Sequence, residues 1–197
     1  RADGKLSALA VEALGRVKRH LFVPEEYRAE SYENHPLSIG FGQTISQPLM
    51  VGLLLDALGK ANGMRILEIG TGCGYQAAVL AEAGWNVWSV EIRPELAQAA
   101  RARLDSLGYG RIRTRLSNGA FGWPEESPFD VILLTAAPEA IPSVLLNQLA
   151  PSGSLVAPVG PEGEIQTLFR VTRGKSGDWV SEDLGGCRFV PMAGLGK

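Results

Sequence analysis

Arg65-Ile-Leu-Glu-Ile-Gly-Thr-Gly-Cys-Gly-Tyr75 is the stretch that decides the fold. Ile66, Leu67 and Ile69 form a short apolar run that stops at a glycine cluster, and a helical pattern follows from Tyr75 to Ala83. A buried strand feeding a Gly-rich turn and then a helix is how a doubly wound α/β domain builds its first ligand site. Gly70, Gly72 and Gly74 allow positive φ and place no Cβ between the backbone and a bound molecule. The G-x-G-x-G spacing lacks the G-x-x-G ending of a dinucleotide site. No Lys-Ser or Lys-Thr follows, which excludes a phosphate-cradling P-loop. Glu68 lies inside the apolar run, where an unpaired carboxylate is costly.

The next strand-like run, Asn86-Val-Trp-Ser-Val-Glu91, ends in a second carboxylate. An acid about twenty residues beyond the first glycine is placed to accept both hydroxyls of a ribose. Turn and acid together favour a nucleoside ligand without pyrophosphate. The ordered set of Glu68, three glycines and Glu91 resembles the S-adenosylmethionine site of Rossmann-like methyltransferases. The plainer alternative is a Gly-rich turn followed by an ordinary strand-end Glu.

Outward from this centre, residues 6–17 show apolar residues at helical spacing, and Pro24 disfavours helix at Val23. A second apolar helix is predicted from about Gln47 to Leu58. Ser46 before it is an N-cap candidate and Pro48 suits the first turn. Capping alone accounts for Ser46. Gly40, Gly42, Gln43 and Thr44 are more polar and flexible than a connector needs.

Downstream, Pro94 to Leu107 reads as a helix closed by Gly108, and Ile112–Leu116 as a strand. Phe129–Thr135 reads as a buried central strand, a helix runs from about Pro142 to Leu149, and Ser154–Pro158 is the fifth strand of the core. Ile165–Thr172 and Trp179–Val190 read as a terminal antiparallel pair. The expected class is α/β: a doubly wound, mostly parallel sheet with a C-terminal antiparallel strand pair and an N-terminal helical extension. One domain is expected over 1–197, with a lid and substrate segment (1–60), a cofactor core (61–160) and C-terminal strands (161–197). The ligand crevice of such a sheet lies outside the strands' carboxyl ends, where Gly70–Gly74, Glu91, Asn118 and Thr135-Ala136 fall.

A net charge of −2 over 197 residues offers no electrostatic footprint for nucleic acid. Val51–Leu55, the longest apolar run, is too short for a bilayer, and the first residues do not read as a secretory signal. Cys73 and Cys187 make neither a disulfide framework nor a metal cluster. His20 and His35 read as structural or surface histidines, so no metal is expected. These features point to a reduced, cytoplasmic setting. The chain begins at Arg1 without a Met, so the natural start is expected upstream.

Several separate stretches resemble one family, the protein-L-isoaspartate O-methyltransferases. They are His20-Leu-Phe-Val-Pro24, Gly42-Gln-Thr-Ile-Ser-Gln-Pro48, Leu67–Ala78, Gly122-Trp-Pro124, Phe129-Asp130 and Arg188-Phe-Val-Pro191. The resemblance runs from about residue 11 to 192, and T-I-S-Q-P and R-F-V-P are its most specific parts. It implies methyl transfer from S-adenosylmethionine, leaving S-adenosylhomocysteine, to the free α-carboxylate of L-isoaspartyl residues in damaged proteins or peptides. The ester then favours succinimide formation and partial return to aspartate.

By the same resemblance, Glu68, Gly70, Thr71, Gly72, Gly74 and Tyr75 border the cofactor, and Glu91 holds its ribose. Ile92, Asn118, Gly119 and Gln166 complete that pocket. Thr44, Ile45 and Ser46 lie between cofactor and substrate, and Ala136, Ala137 and Val190 meet the peptide. The implied partners are isoaspartyl proteins or peptides, with no nucleic acid or membrane, and the protein is expected to be a monomer.

The chemistry is consistent with this. A carboxylate with a pKa near 4 is ionised at about pH 7 and needs no general base. Alignment and exclusion of water are then the protein's task, worth roughly 7–11 kcal/mol in well-oriented reactions. Ser46 becomes a hydrogen-bonding positioner of the carboxylate, not a nucleophile. One departure stands out: the family's G-D-G is Ser117-Asn118-Gly119 here. Asn still accepts through its carbonyl oxygen but lacks charge, weakening an adenine contact by about 1 kcal/mol. Two alternatives remain: carboxylate methylation of an Asp in a dedicated peptide during maturation, or a non-catalytic isoaspartyl-binding module.

Overall fold

The computed structural model describes residues 5–194. Helix α1 (Ala8–Arg16) begins at Ser7, whose hydroxyl accepts from Ala10 N at 3.2 Å. Ser7 is itself pinned by Asp56, which takes both its amide and its hydroxyl. A hairpin follows, β1 (Leu37–Gly40) and β2 (Gln43–Ile45), and then α2 (Pro48–Leu58). Gly52 weakens α2 intrinsically, yet a Cβ there would lie 2.5 Å from Leu6 Cδ1. Close approach of the two helices requires the glycine.

The core is β3 (Arg65–Ile69), α3 (Tyr75–Glu82), β4 (Asn86–Glu91), α4 (Pro94–Ser106), β5 (Arg113–Leu116), β6 (Phe129–Leu134), α5 (Ser143–Leu146), β7 (Leu149–Val159), β8 (Gln166–Arg173) and β9 (Trp179–Cys187). They form a seven-stranded sheet in the order β5-β4-β3-β6-β7-β8-β9. The pairs from β5 through β7 are parallel, whereas β7–β8 and β8–β9 are antiparallel. The expected α/β class and terminal antiparallel pair are present, and the pair extends the same sheet.

Chain order runs outward from β3 to β5 and then returns to β6 on the other side of β3. That reversal opens a crevice at the carboxyl ends of β3 and β6. Leu67, Ile132, Leu134 and Leu155 fill the layer on one side of the sheet. Ile66, Leu133 and Val156 pack on the other, against α1–α3. Among the described residues no helix is long and apolar enough to cross a membrane.

Two expectations change. The hairpin β1–β2 occupies what reads in sequence as a flexible polar segment; its tip, Gly40-Phe41-Gly42, has positive φ at all three residues. The helix expected from Pro142 to Leu149 is only Ser143–Leu146, and β7 begins at Leu149 rather than Ser154. Gly153 makes this possible: its Cα faces the backbone oxygens of Asp130, Ala150 and Phe129, which an added Cβ would meet at 2.9–3.1 Å. The β6–β7 register shifts at that point. Gly153→Ala should therefore lower stability by about 1–3 kcal/mol, seen as a lower urea midpoint with an unchanged slope.

Candidate active site

The crevice above β3 and β6 is a cleft of about 840 Å³, its open mouth included. Its floor is the turn after β3. Gly70, Gly72 and Gly74 all have positive φ, at 104°, 55° and 90°. Two of these glycines face protein rather than ligand. A Cβ on Gly70 would lie 2.5 Å from Thr135 Oγ1, and one on Gly74 would lie 3.2 Å from Leu104 Cγ. Thr135 holds the turn by donating to Gly70 O at 2.7 Å. Gly70 and Gly72 line the cleft; Gly74 starts α3 beneath it.

Glu91 ends β4 at the cleft wall. Its carboxylate accepts from Gly72 N at 2.8 Å and from Ile92 N and Arg93 N at 3.0 Å. A carboxylate has roughly four acceptor sites, so about one, on Oε2, remains for a ribose hydroxyl. Thr71, Tyr75, Ile92 and Gly119 also line the cleft. Gly119 is there because any Cβ would collide with Ile69 Cγ2. Gln76, unassigned by the sequence pattern, lines the cleft with an Nε2 that has no partner among the described residues. A polar wall at Glu91 and Gln76 with apolar Ile69, Val90 and Met192 suits a nucleoside carrying a charged tail.

Glu68 lies under this floor, fully buried. Its Oε2 accepts from Ser89 Oγ at 2.5 Å, Ser89 Oγ lies 2.6 Å from Thr71 Oγ1, and its Oε1 has no partner among the described residues. Burial first, opposed by Ser89 and aided by Glu91, pushes its pKa up to about 8. The protonated form is thus favoured by folding. That contribution is complete below the unfolded pKa near 4.5 and is lost as pH rises through about 8. Glu68→Gln should remove this loss. The variant's stability relative to wild type should climb between about pH 4.5 and 8, by on the order of a few kcal/mol. Thermal melts across that range check it.

A second cleft, about 1340 Å³ with its open mouth, adjoins the first and shares Thr44, Ser46, Thr135 and Val190 with it. Met50, Ile165, Cys187, Arg188 and Phe189 line its outer part. Ile45 and Ala136 line the first cleft at this neck. Ser46 does not cap α2. The N-cap is Gln47 without a side-chain bond, and Leu49 N is taken by Asn34 Oδ1 at 3.0 Å, from fifteen residues upstream. The Ser46 hydroxyl makes no hydrogen bond among the described residues, so it is available to a ligand at the neck.

Four expected site residues do other work. Asn118 Oδ1 accepts from Ala120 N and its Nδ2 donates to Gly194 O, both at 2.9 Å. It ties the C-terminal segment down beside the cleft rather than lining it. An Asp could not donate to that carbonyl. Gln166 is buried and fastens Phe189, whose N donates to Gln166 Oε1 at 2.8 Å. Ala137 donates to Val190 O and accepts from Met192 N, both at 2.8 Å. Val190 lines the neck, but its carbonyl is therefore already engaged. Glu68 acts only through Ser89 and Thr71. Outside the site, folding brings Glu30 and Glu33 to His35, at 3.4 and 3.2 Å. The sequence reading gave that histidine no such company.

The model of the protein-L-isoaspartate(D-aspartate) O-methyltransferase family matches residues 2–197. The chain is 50% identical to a protein-L-isoaspartate O-methyltransferase of Methylorubrum populi, over 97% of this chain and 89% of the relative. A solved structure named protein-L-isoaspartate O-methyltransferase superposes with a TM-score of 0.88 at 29% identity over 96% of this chain, which spans 62% of that structure's length. A solved structure from Plasmodium falciparum, crystallised with S-adenosyl-L-homocysteine, shares the fold at 24% identity and a TM-score of 0.83, over 98% of this chain and 93% of its own. With near-complete coverage by the family's pattern and half of its residues shared with a curated member, the chain belongs to the protein-L-isoaspartate(D-aspartate) O-methyltransferase family.

Proposed function

We propose that this chain methylates the free α-carboxylate of L-isoaspartyl residues in damaged proteins or peptides, with S-adenosylmethionine as donor. The observation that carries this is the neck: two clefts meet at Thr44, Ser46, Thr135 and Val190, where Ser46 has a free hydroxyl. In the first cleft, Glu91 would take the ribose, Gly70–Gly72 and Thr71 would bound the amino-acid arm, and Gly119 with Ile69 and Met192 would face the base. When bound, the donor supplies an electrophilic methyl on a sulfonium, so that attack by a carboxylate oxygen cancels two opposite charges and moves no proton.

The side chains have correspondingly little acid–base work. Ser46 donates to the carboxylate and fixes its direction. Thr44, Thr135 and Val190 exclude water, and Met50, Ile165 and Phe189 offer apolar contact to the peptide. Glu68, Asn118, Gln166 and Ala137 hold the surrounding backbone in place. The proposal includes a monomer in the cytoplasm whose partners are damaged proteins or peptides, with no nucleic acid or membrane. A net charge of −2 and two free, buried cysteines support that setting.

The test is incubation with labelled S-adenosylmethionine and matched isoaspartyl and aspartyl peptides. Base-labile methyl ester on the isoaspartyl peptide alone is expected. Ester on an aspartyl peptide instead would favour a dedicated maturation substrate. Ester on neither, with peptide still bound, would mark a binding module.

A further inference from the structure

Arg19 is a buried cation without a counter-ion among the described residues. It opens the short turn Arg19–Leu21 and is 1% exposed. Nε donates to Ser31 O and Nη1 to Ser46 O, each at 2.7 Å, while Nη2 is buried without a hydrogen-bond partner among the described residues. Its guanidinium carbon stands 5.2 Å from the Tyr75 ring centre. No carboxylate among the described residues makes a salt bridge with it. Glu68, a buried acid beneath the same cleft, meets burial by keeping its proton. A guanidinium has no such escape, because it stays charged in proteins. Two carbonyl bonds and the Tyr75 ring offset part of the cost of burying that charge, and a negative group nearby would offset the rest.

The surroundings indicate where that group sits. Arg19 bonds the carbonyl of Ser46, the residue shared by both clefts, and Tyr75 beneath it lines the first. A positive charge on the Ser46 carbonyl polarises the Ser46–Gln47 peptide and strengthens the Gln47 N–H as a donor. Gln47 is the N-cap of the eleven-residue α2 and lines the second cleft. The positive end of that helix adds to the same field. An anion at the neck faces both sources, and among the described residues no carboxylate lines the second cleft.

We infer that Arg19 is a positioning residue whose charge, delivered through the Ser46 carbonyl, selects and holds a carboxylate at the neck, so that the substrate acid is its missing counter-ion. This rests on the function proposed above and adds the source of its charge selectivity. Arg19 touches neither the acid nor the donor. Its attraction is present before transfer and fades as the carboxylate is neutralised, so it should act on substrate affinity more than on turnover.

The experiment compares two isoaspartyl peptides, one with the free α-carboxylate and one with the α-carboxamide. Their inhibition constants are measured against the full chain saturated with S-adenosylhomocysteine, in wild type, Arg19→Lys and Arg19→Gln. Wild type should prefer the acid, and Arg19→Lys should keep most of that preference. Arg19→Gln should lose about tenfold of it, equal to about 1.4 kcal/mol, with S-adenosylhomocysteine affinity within about twofold. The exposed Arg188 is the rival source of charge, since it lines the second cleft. A buried charge is little screened, so the wild-type preference should hold from about 0.05 M to about 0.5 M salt. That reading stands even if Arg19→Gln does not fold. Undiminished preference in folded Arg19→Gln, or steep loss of preference with salt, overturns the inference and leaves the proposed function intact. A wild type that binds neither peptide defeats the proposed function, and this inference with it.

Discussion

Gly70→Ala should sharply weaken donor binding and lower the melting temperature. The substitution meets two obstacles at once. At φ 104° the backbone is outside the range an L-residue adopts comfortably, at a cost of roughly 1–2 kcal/mol. The new Cβ would also lie 2.5 Å from Thr135 Oγ1, and forced overpacking adds about 1–3 kcal/mol. Thr135 cannot simply rotate away, because its hydroxyl donates to both Ile69 O and Gly70 O. Relief must come from the turn, which carries Gly72 N and its bond to Glu91. S-adenosylhomocysteine affinity should fall at least about thirtyfold, roughly 2 kcal/mol. Gly70→Ala combined with Thr135→Ala should recover the steric part but not the φ part. Wild-type melting and affinity in the single variant would contradict this account of the turn.

Ser46→Ala should give the opposite pattern: lost turnover with stability and donor affinity kept. A hydrogen bond to a charged group contributes about 1.5–3 kcal/mol, so kcat should fall by roughly 10- to 150-fold. The donor's dissociation constant should move by less than about twofold. Were Ser46 an N-cap, the substitution would instead cost about 1 kcal/mol of stability. The cap is supplied by Asn34 on Leu49 N, so Asn34→Ala is the matched control that should lose stability. Melting curves and steady-state kinetics on the two variants separate the roles. Comparable turnover in Ser46→Ala would remove the hydroxyl from the mechanism.

What could be read in the sequence was local. The β3 turn, Glu91 at the end of β4, and α4 between Pro94 and Gly108 each announce themselves within about fifteen residues, through periodicity and glycine placement. The hairpin β1–β2 does not, because strands of four and three residues around a left-handed Phe41 carry no usable period. Ser152 and Gly153 read as the end of the helix expected from Pro142. Their actual setting, a bulged strand against Asp130 O, depends on a partner strand distant in sequence.

Side-chain roles that depend on long-range partners were equally hidden. Asn118 in its loop looks like a weakened adenine ligand. Only the fold brings Gly194, seventy-six residues later, to its amide. Gln166 looks like a pocket residue until Phe189 is seen bonded to it. Arg19 gave no signal at all, since neither its burial nor its bonds to Ser31 and Ser46 are encoded near it.

The central claim is that a sulfonium donor and a peptide carboxylate face each other at the neck between the two clefts. A crystal structure of the chain with S-adenosylhomocysteine and an isoaspartyl peptide bound together tests it most directly. The peptide's α-carboxylate should lie within about 3.2 Å of Ser46 Oγ, with the sulfur opposite and no water between sulfur and acid. A peptide seated elsewhere, or a sulfur walled off from the acid by Thr135 or Val190, would contradict it.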